Sequence, residues 1–150
     1  MPLAPITHAH IAYEAIGEDA PEVLVIEFLG REIAGPAQAR ELAEQLDSLI
    51  RTGLPHNFVI DFANVRALGS TGFAEITHFA RRAGRVRVCN LDDILRLGAS
   101  LIGLDALVEF AESRAQAIRA ARRDFRRGEE DTVDFPDAPG PGRSEEPVRA

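Results

Sequence analysis

The sequence predicts one α/β domain in which about four helices cover a mixed β-sheet of four to five strands. Three observations predict it. Segments with the two-residue period of strands alternate with segments of helical period along most of the chain. Phe58, Val59, Ile60 and Phe62 crowd one short run bounded by Pro55 and Asn64, as suits a strand covered on both faces. A chain of 150 residues that is 45% apolar supplies one core and not two.

The elements follow in order. Residues 1–7 carry two prolines and no periodicity, so residues 1–10 are expected to be a flexible N-terminus. Strands are predicted at 11–16 and 23–29, joined as a hairpin by the turn Gly17-Glu18-Asp19-Ala20-Pro21. After a loop over 30–35, Pro36 suits the start of a helix, where its missing N–H costs nothing. Ala39, Leu42, Ala43, Leu46, Leu49 and Ile50 then share one face, and Gly53 stops that helix. The strand at 58–62 leads through a turn over 69–72 into a helix whose periodicity begins at Phe73 and continues through Ile76, Ala80 and Ala83. Gly84 ends it after Arg81 and Arg82, whose charges suit a helix C-terminus. A strand at 86–90 precedes a short helix opened by Asp92 and Asp93, with Ile94, Leu95, Leu97 and Leu101 as its expected buried stripe and Gly103 as its stop. Residues 108–111 suffice only for an edge strand. Ser113-Arg114-Ala115-Gln116 is a capping box opening the last helix, with Ala117, Ile118, Ala121 and Phe125 inward. The domain is therefore expected over 11–127. Residues 128–150, with four prolines, seven acids and two arginines, are expected to form a disordered acidic tail.

The chemistry gathers where the central strand meets its helix. Ser70 and Thr71 lie beside unpaired N–H groups at the helix mouth, and two readings follow. The hydroxyls cap the helix, worth about 1 kcal/mol, or a phosphoryl group on Ser70 faces those donors and the positive end of the helix dipole. Asp61, eight positions before Gly69, reads as a turn or cap residue.

Asp61, Val65, Leu68, Gly69-Ser70-Thr71-Gly72 and Phe73 resemble the signature of the STAS domain, whose members include bacterial anti-sigma factor antagonists. That pattern is an Asp closing a buried strand and, eight positions later, Asp-Ser-Ser/Thr-Gly with an apolar residue. Val86-Arg87-Val88-Cys89-Asn90 and Leu101-Ile102-Gly103-Leu104-Asp105-Ala106-Leu107 resemble the family's next strand and its GLD segment. The resemblance spans residues 13–120. It implies helices gathered mainly on one side of the sheet, and it implies that Ser70 is the serine phosphorylated by an anti-sigma factor kinase. Gly69 stands where the family has Asp.

The expected function is that of an anti-sigma factor antagonist, a protein-binding module that docks on an anti-sigma factor serine kinase and is released by phosphorylation of Ser70. Gly69, Ser70, Thr71, Gly72, Phe73, Ala74 and Thr77 are its expected contact surface, although Phe73 also fits the core. The alternative is a STAS scaffold subunit of a stressosome-like signalling assembly or a lipid-transport assembly, without a phosphorylation cycle. An oligomer is compatible with either.

Composition narrows the classes further. The net charge of −7 argues against direct nucleic-acid binding. The exception is Arg119, Arg122, Arg123, Arg126 and Arg127, which read as a solvated helix end or as a patch for an acidic partner or nucleic acid. No apolar run approaches the roughly 18 residues of a membrane helix and no basic-then-apolar leader opens the chain, so a cytoplasmic protein without membrane insertion is expected. Cys89, the single cysteine, is expected to be a small buried residue. His8, His10, His56 and His78 lack partners at ligand spacing, so no metal and no cofactor are expected. No Gly-rich phosphate loop, zinc motif or nucleophile–base pair argues for an enzyme.

Overall fold

Side chains alternate between the two faces of a strand, and in the central strand of this protein both faces are covered. The computed structural model describes residues 6–7 and 10–133, with the side-chain surroundings of residues 10–128. Its elements are β1 (Ile6–Thr7), β2 (Ile11–Ile16), β3 (Val23–Phe28), β4 (Glu32–Ile33), α1 (Gly35–Ile50), β5 (Asn57–Asp61), β6 (Ala67–Leu68), α2 (Ser70–Ala83), β7 (Arg85–Cys89), α3 (Asp93–Ile102), β8 (Glu109–Ala111) and α4 (Arg114–Val133), with a 3-10 turn at Leu104–Ala106. The main sheet has the order β1-β2-β3-β5-β7-β8. β1, β2 and β3 pair antiparallel, whereas β3, β5, β7 and β8 run parallel. The predicted mixed sheet is thus present, with five strands of three or more residues. The two-residue β1 is added from the segment expected to be loose, because its backbone finds partners on β2.

Strand parity separates two layers. Phe58, Ile60 and Phe62 join one core with α1, α2 and α3, while Val59 joins Val23, Val25, Cys89, Ala117 and Ala121 beneath α4. Three helices therefore lie on one face and α4 on the other. Registry carries the parity across the sheet: Ile26 pairs with Ile60, and Ile60 with Val88, so each layer receives a continuous row of aliphatic side chains.

The helix ends follow their local chemistry. Asp92 accepts from Leu95 N–H at 2.8 Å, and Gly103 closes α3 in the left-handed conformation, φ 86°. Ser113 Oγ accepts from Gln116 N–H at 3.1 Å, and Gln116 Oε1 reaches past the cap to accept from Glu112 N–H at 2.7 Å. Pro36 lies in the first turn of α1, behind an N-cap at Ala34.

Three expectations need correction. α2 starts at Ser70, not Phe73, because Gly69 is its N-cap and supplies the first helical carbonyl, to Phe73 N–H at 3.0 Å. α4 does not stop at residue 127 but runs through Gly128 to Val133; a single glycine costs a helix only ~1 kcal/mol, and Glu129 and Glu130 after it are good helix formers. The rest of the expected tail lies outside the described residues. Ile94, Leu97 and Leu101 are not buried. α3 turns Leu95 and Ala99 inward with Ile102 half-buried beside them, and the other three point to solvent. The helix has more apolar residues than one face can bury.

Most polar groups in the α4 layer are paired, and Asn57 Oδ1 and Arg122 Nη2 are buried without a partner among the described residues. Asn57 Nδ2 donates to Ala121 O at 2.8 Å and to Glu22 O at 3.1 Å, fastening α4 to β5 and to the start of β3. The buried Arg87 pairs with Asp124 of α4 and, at 3.1 Å, with Glu109. That hydrogen bond from Arg87, assisted by the charges of Arg87 and Arg85, holds the Asp124 carboxyl below the usual carboxylate range.

Two measurements test this architecture. Ile60 is fully buried in the central strand, so Ile60→Ala should lower unfolding stability by about 2–5 kcal/mol in denaturant titration. A loss under ~1 kcal/mol would contradict its central place. Because the folded carboxyl of Asp124 titrates below its unfolded value, its pairing stabilises the protein above the unfolded pKa, and that contribution is lost as pH falls through the folded pKa. Asp124→Asn should therefore flatten the acid limb of a melting profile below about pH 4, and superimposable limbs would contradict the assignment.

Candidate functional site

A short clip of backbone holds the mouth of α2. β4 and β6 pair parallel, Glu32 with Ala67 and Ile33 with Leu68. Arg66 and Ala67 N–H both donate to Arg31 O, at 2.8 and 3.1 Å, and Gly69 N–H donates to Ile33 O at 3.0 Å. The loop after β5 is thereby tied to the loop after β3. Gly72 is packed against Leu68, since a Cβ on it would lie 2.5 Å from Leu68 Cδ1; no larger residue fits that turn without moving Leu68.

The sequence-predicted residues separate by exposure. Ser70, Thr71 and Ala74 are exposed, and Gly69 is half-buried. Gly72, Phe73 and Thr77 are buried, so their side chains are no part of a docking surface. Phe73 points towards α3, where a Cβ on Gly98 would meet its ring at 2.8 Å, and Thr77 Oγ1 donates to Phe73 O at 2.8 Å within the helix. Phe73 thus packs against α3, and Thr77 is buried with its hydroxyl satisfied inside the helix.

The capping reading is corrected as well. No side chain caps α2: Ser70 and Thr71 are its first helical residues, and Thr71 Oγ1 makes only a long contact to Gly35 O, 3.5 Å. The N–H groups of Ser70, Thr71 and Gly72 precede the first turn's carbonyls, and the first turn holds no acidic residue. An anion carried on Ser70 would meet donors and the positive dipole end without a competing carboxylate.

Asp61 serves structure. It is buried on the α4 face, where Oδ1 accepts from Ala63 N–H and from Asn90 Nδ2, both at 2.9 Å, and Oδ2 lies 3.3 Å from Arg114 Nη1. Its carboxylate is committed to these groups and does not serve Ser70 as a base. Arg114 also meets Glu27 at 2.8 Å and Glu14 at 3.4 Å. The hydrogen bond to Glu27, with further support from Asp61, raises the pKa of Arg114 although burial opposes it. Sequence reasoning missed this cluster. Its one signal was Asn90, which takes a positive φ of 62°, a conformation asparagine tolerates better than most residues.

Other candidates resolve plainly. Cys89 is buried, and its thiol is pushed up to about 12, first by burial and then by the Asp61 charge, which makes it inert at neutral pH. Among the described residues no group of three or more His, Cys, Asp or Glu could hold a metal ion, and no helix is long and apolar enough to cross a membrane. In the arginine stretch of α4, Arg122 pairs with Glu22 at 3.1 Å, and Arg126 approaches Glu22 and Glu18 at 3.6 and 3.8 Å.

No protein-family model and no curated protein matches the chain. Solved structures do match its fold. The crystal structure of an anti-sigma factor antagonist from Mycobacterium paratuberculosis superposes with a TM-score of 0.61 at 23% identity, over 75% of this chain and 94% of that one. The anti-sigma factor antagonist SpoIIAA in its unphosphorylated form gives a TM-score of 0.59 at 18% identity, over 73% and 96%. The Bacillus cell fate determinant SpoIIAA in its phosphorylated form gives 0.54 at 19%, over 73% and 99%. These similarities show the STAS fold, as the residues around Ser70 implied.

The uncapped mouth of α2 yields a prediction. Gly69 has φ −70°, which any L-residue adopts, and an added Cβ would make only ordinary contacts, 3.6 Å from Ile33 O. Gly69→Asp should therefore place a carboxylate on the free N–H groups and stabilise the fold by about 0.5–1 kcal/mol, seen as a melting temperature higher by about 1–4 °C. A lower melting temperature would show that the turn does not accept a side chain.

Proposed function

We propose that this chain, folded as the anti-sigma factor antagonists are, acts as a switchable protein-binding module whose switch is the hydroxyl of Ser70. One observation carries the reading: Ser70 is an exposed first residue of a helix whose mouth has neither a side-chain cap nor an acidic residue. In the unmodified state the surface around Ser70, Thr71 and Ala74 docks on an anti-sigma factor serine kinase. Phosphorylation adds roughly −1.5 to −2 charges at a point the complex would bury, and the helix mouth stabilises the phosphoryl group in the free protein. Both effects favour release, and a few kcal/mol between them corresponds to a hundredfold or greater loss of affinity. The module performs no chemistry of its own; the phosphoryl donor and the transferring groups belong to the kinase.

Gly69 favours a second reading. Without the carboxylate that the resemblance leads one to expect beside the serine, a kinase loses one group by which to recognise this hydroxyl, and the chain then serves as an unmodified scaffold subunit.

The test separates the two. The chain is incubated with ATP and its cognate anti-sigma factor kinase, then analysed by intact mass and peptide mapping. One phosphate on Ser70 is expected, none on Ser70→Ala, and one on Thr71→Ala. Ser70→Asp should lower kinase affinity at least tenfold in titration calorimetry while melting within a few degrees of wild type, because no cap is lost. Gly69→Asp should be phosphorylated as fast or faster. Phosphate on Thr71, or full kinase affinity in folded Ser70→Asp, would overturn the switch and leave the scaffold reading.

A further inference from the structure

Like charges three and four residues apart on a helix repel one another, yet α4 carries arginine at 119, 122, 123, 126 and 127. At about 100° per residue, Arg122, Arg126, Arg119, Arg123 and Arg127 follow one another around an arc of about 140°. The buried Ala117 and Ala121 lie on the opposite side of the helix. The five arginines line one open recess of about 490 Å³. On one edge of it Glu22 and Glu18 answer Arg122 and Arg126, and on the other edge Asp124 is taken by Arg87 and Arg85. Arg119, Arg123 and Arg127 lie between these edges, exposed, and make no ion pair or side-chain hydrogen bond with any described residue. Their mutual repulsion is a cost to the fold of a single chain.

We infer that this face of α4 is a second docking surface, and that it takes a short acidic segment of a partner protein laid along the helix. Guanidinium forks pair with carboxylates two bonds at a time, and a row of carboxylates converts the repulsion among the arginines into attraction. Dimensions and flanking charge select this occupant. The row from Arg119 to Arg127 is about 12 Å long, which an extended segment of about four residues covers. A bilayer or a nucleic-acid duplex reaches past the edges of so narrow a strip onto Glu18, Glu22 and Asp124, and meets a chain whose net charge is −7. A short segment lies between those carboxylates. The face is also clear of the surface around Ser70. Asn57, the first residue of β5, donates to Ala121 O at 2.8 Å, so the arginine part of α4 lies near the start of that strand and on the sheet face opposite α2, whereas Ser70 follows the strand's end. Both surfaces can be occupied at once, and the second does not depend on the state of Ser70.

Fluorescence anisotropy of a labelled hexaglutamate peptide, titrated with the full chain at about 50 mM salt, tests this. The peptide should bind saturably with Kd of about 10–100 µM, and at least about fivefold more weakly at about 250 mM salt. The triple variant Arg119→Ala, Arg123→Ala, Arg127→Ala should bind at least about tenfold more weakly than wild type. It removes exposed side chains and their repulsion, so it should melt at or above the wild-type temperature, which separates lost docking from lost fold. Ser70→Asp should bind the peptide as wild type does. Vesicles of anionic phospholipid and a random-sequence DNA duplex, matched in charge concentration, should displace the peptide less well than unlabelled hexaglutamate. No binding of the peptide, full binding by the triple variant, or loss of binding in Ser70→Asp overturns the proposal. Stronger displacement by the vesicles or the duplex also overturns it, and assigns the face to a membrane or to nucleic acid.

Discussion

A carboxylate buried at the end of the central strand must be surrounded by donors, and much of this structure is arranged to supply them. Asp61 leaves the β5 ladder on the α4 face with little access to water. Its oxygens are met by the turn that follows it, by Asn90 at the end of the neighbouring strand and by Arg114 at the start of α4. Removing any one would leave a buried charge short of a partner, the situation that costs most in a protein interior. Arg114 occupies an N-terminal helix position that the dipole disfavours for a cation, and it is compensated there by Glu14, Glu27 and Asp61 together. One ion cluster thus ties three interior strands to a helix, near the end of β5 from which the loop to Ser70 departs.

The candidate site is built almost wholly from backbone. The β4–β6 clip, the bond from Gly69 to Ile33 and the packing of Gly72 on Leu68 set where α2 begins. The hydroxyl of Ser70 then sits on a helix start fixed by backbone hydrogen bonds and without a side-chain cap. Such an arrangement suits a modification switch, in which the added group and not a rearranged loop changes what the surface can touch.

Burial decides which of the neighbouring residues belong to that surface. Phe73 and Thr77 are expected from the sequence to flank Ser70, but both are buried, Phe73 against Gly98 of α3. The same packing turns Leu95 and Ala99 of α3 inward and leaves Ile94, Leu97 and Leu101 outside. The exposed side chains at the mouth of α2 are therefore those of Ser70, Thr71 and Ala74, while the large exposed apolar residues Ile94, Leu97 and Leu101 belong to α3.

The sequence alone determined the order of the longer strands and the helices, the two-sided burial of β5, the caps at Asp92 and Ser113, the stop at Gly103 and the helix-mouth position of Ser70, but not the two-residue strands β1, β4 and β6. Each is set by residues within a few positions of one another, through periodicity, capping groups and the conformational freedom of glycine. The sequence also carried the resemblance through which the STAS fold could be expected, since that signature too is local. Tertiary structure decided the rest. Whether an apolar residue of α3 is core or surface depends on which side α2 approaches, and α3 offers apolar residues in more than one direction. Whether Asp61 serves Ser70 or the ion cluster depends on α4 returning to the opposite face of the sheet, 53 residues further along the chain. Contacts across such separations depend on the orientation of whole elements, and no local period in the sequence encodes that orientation.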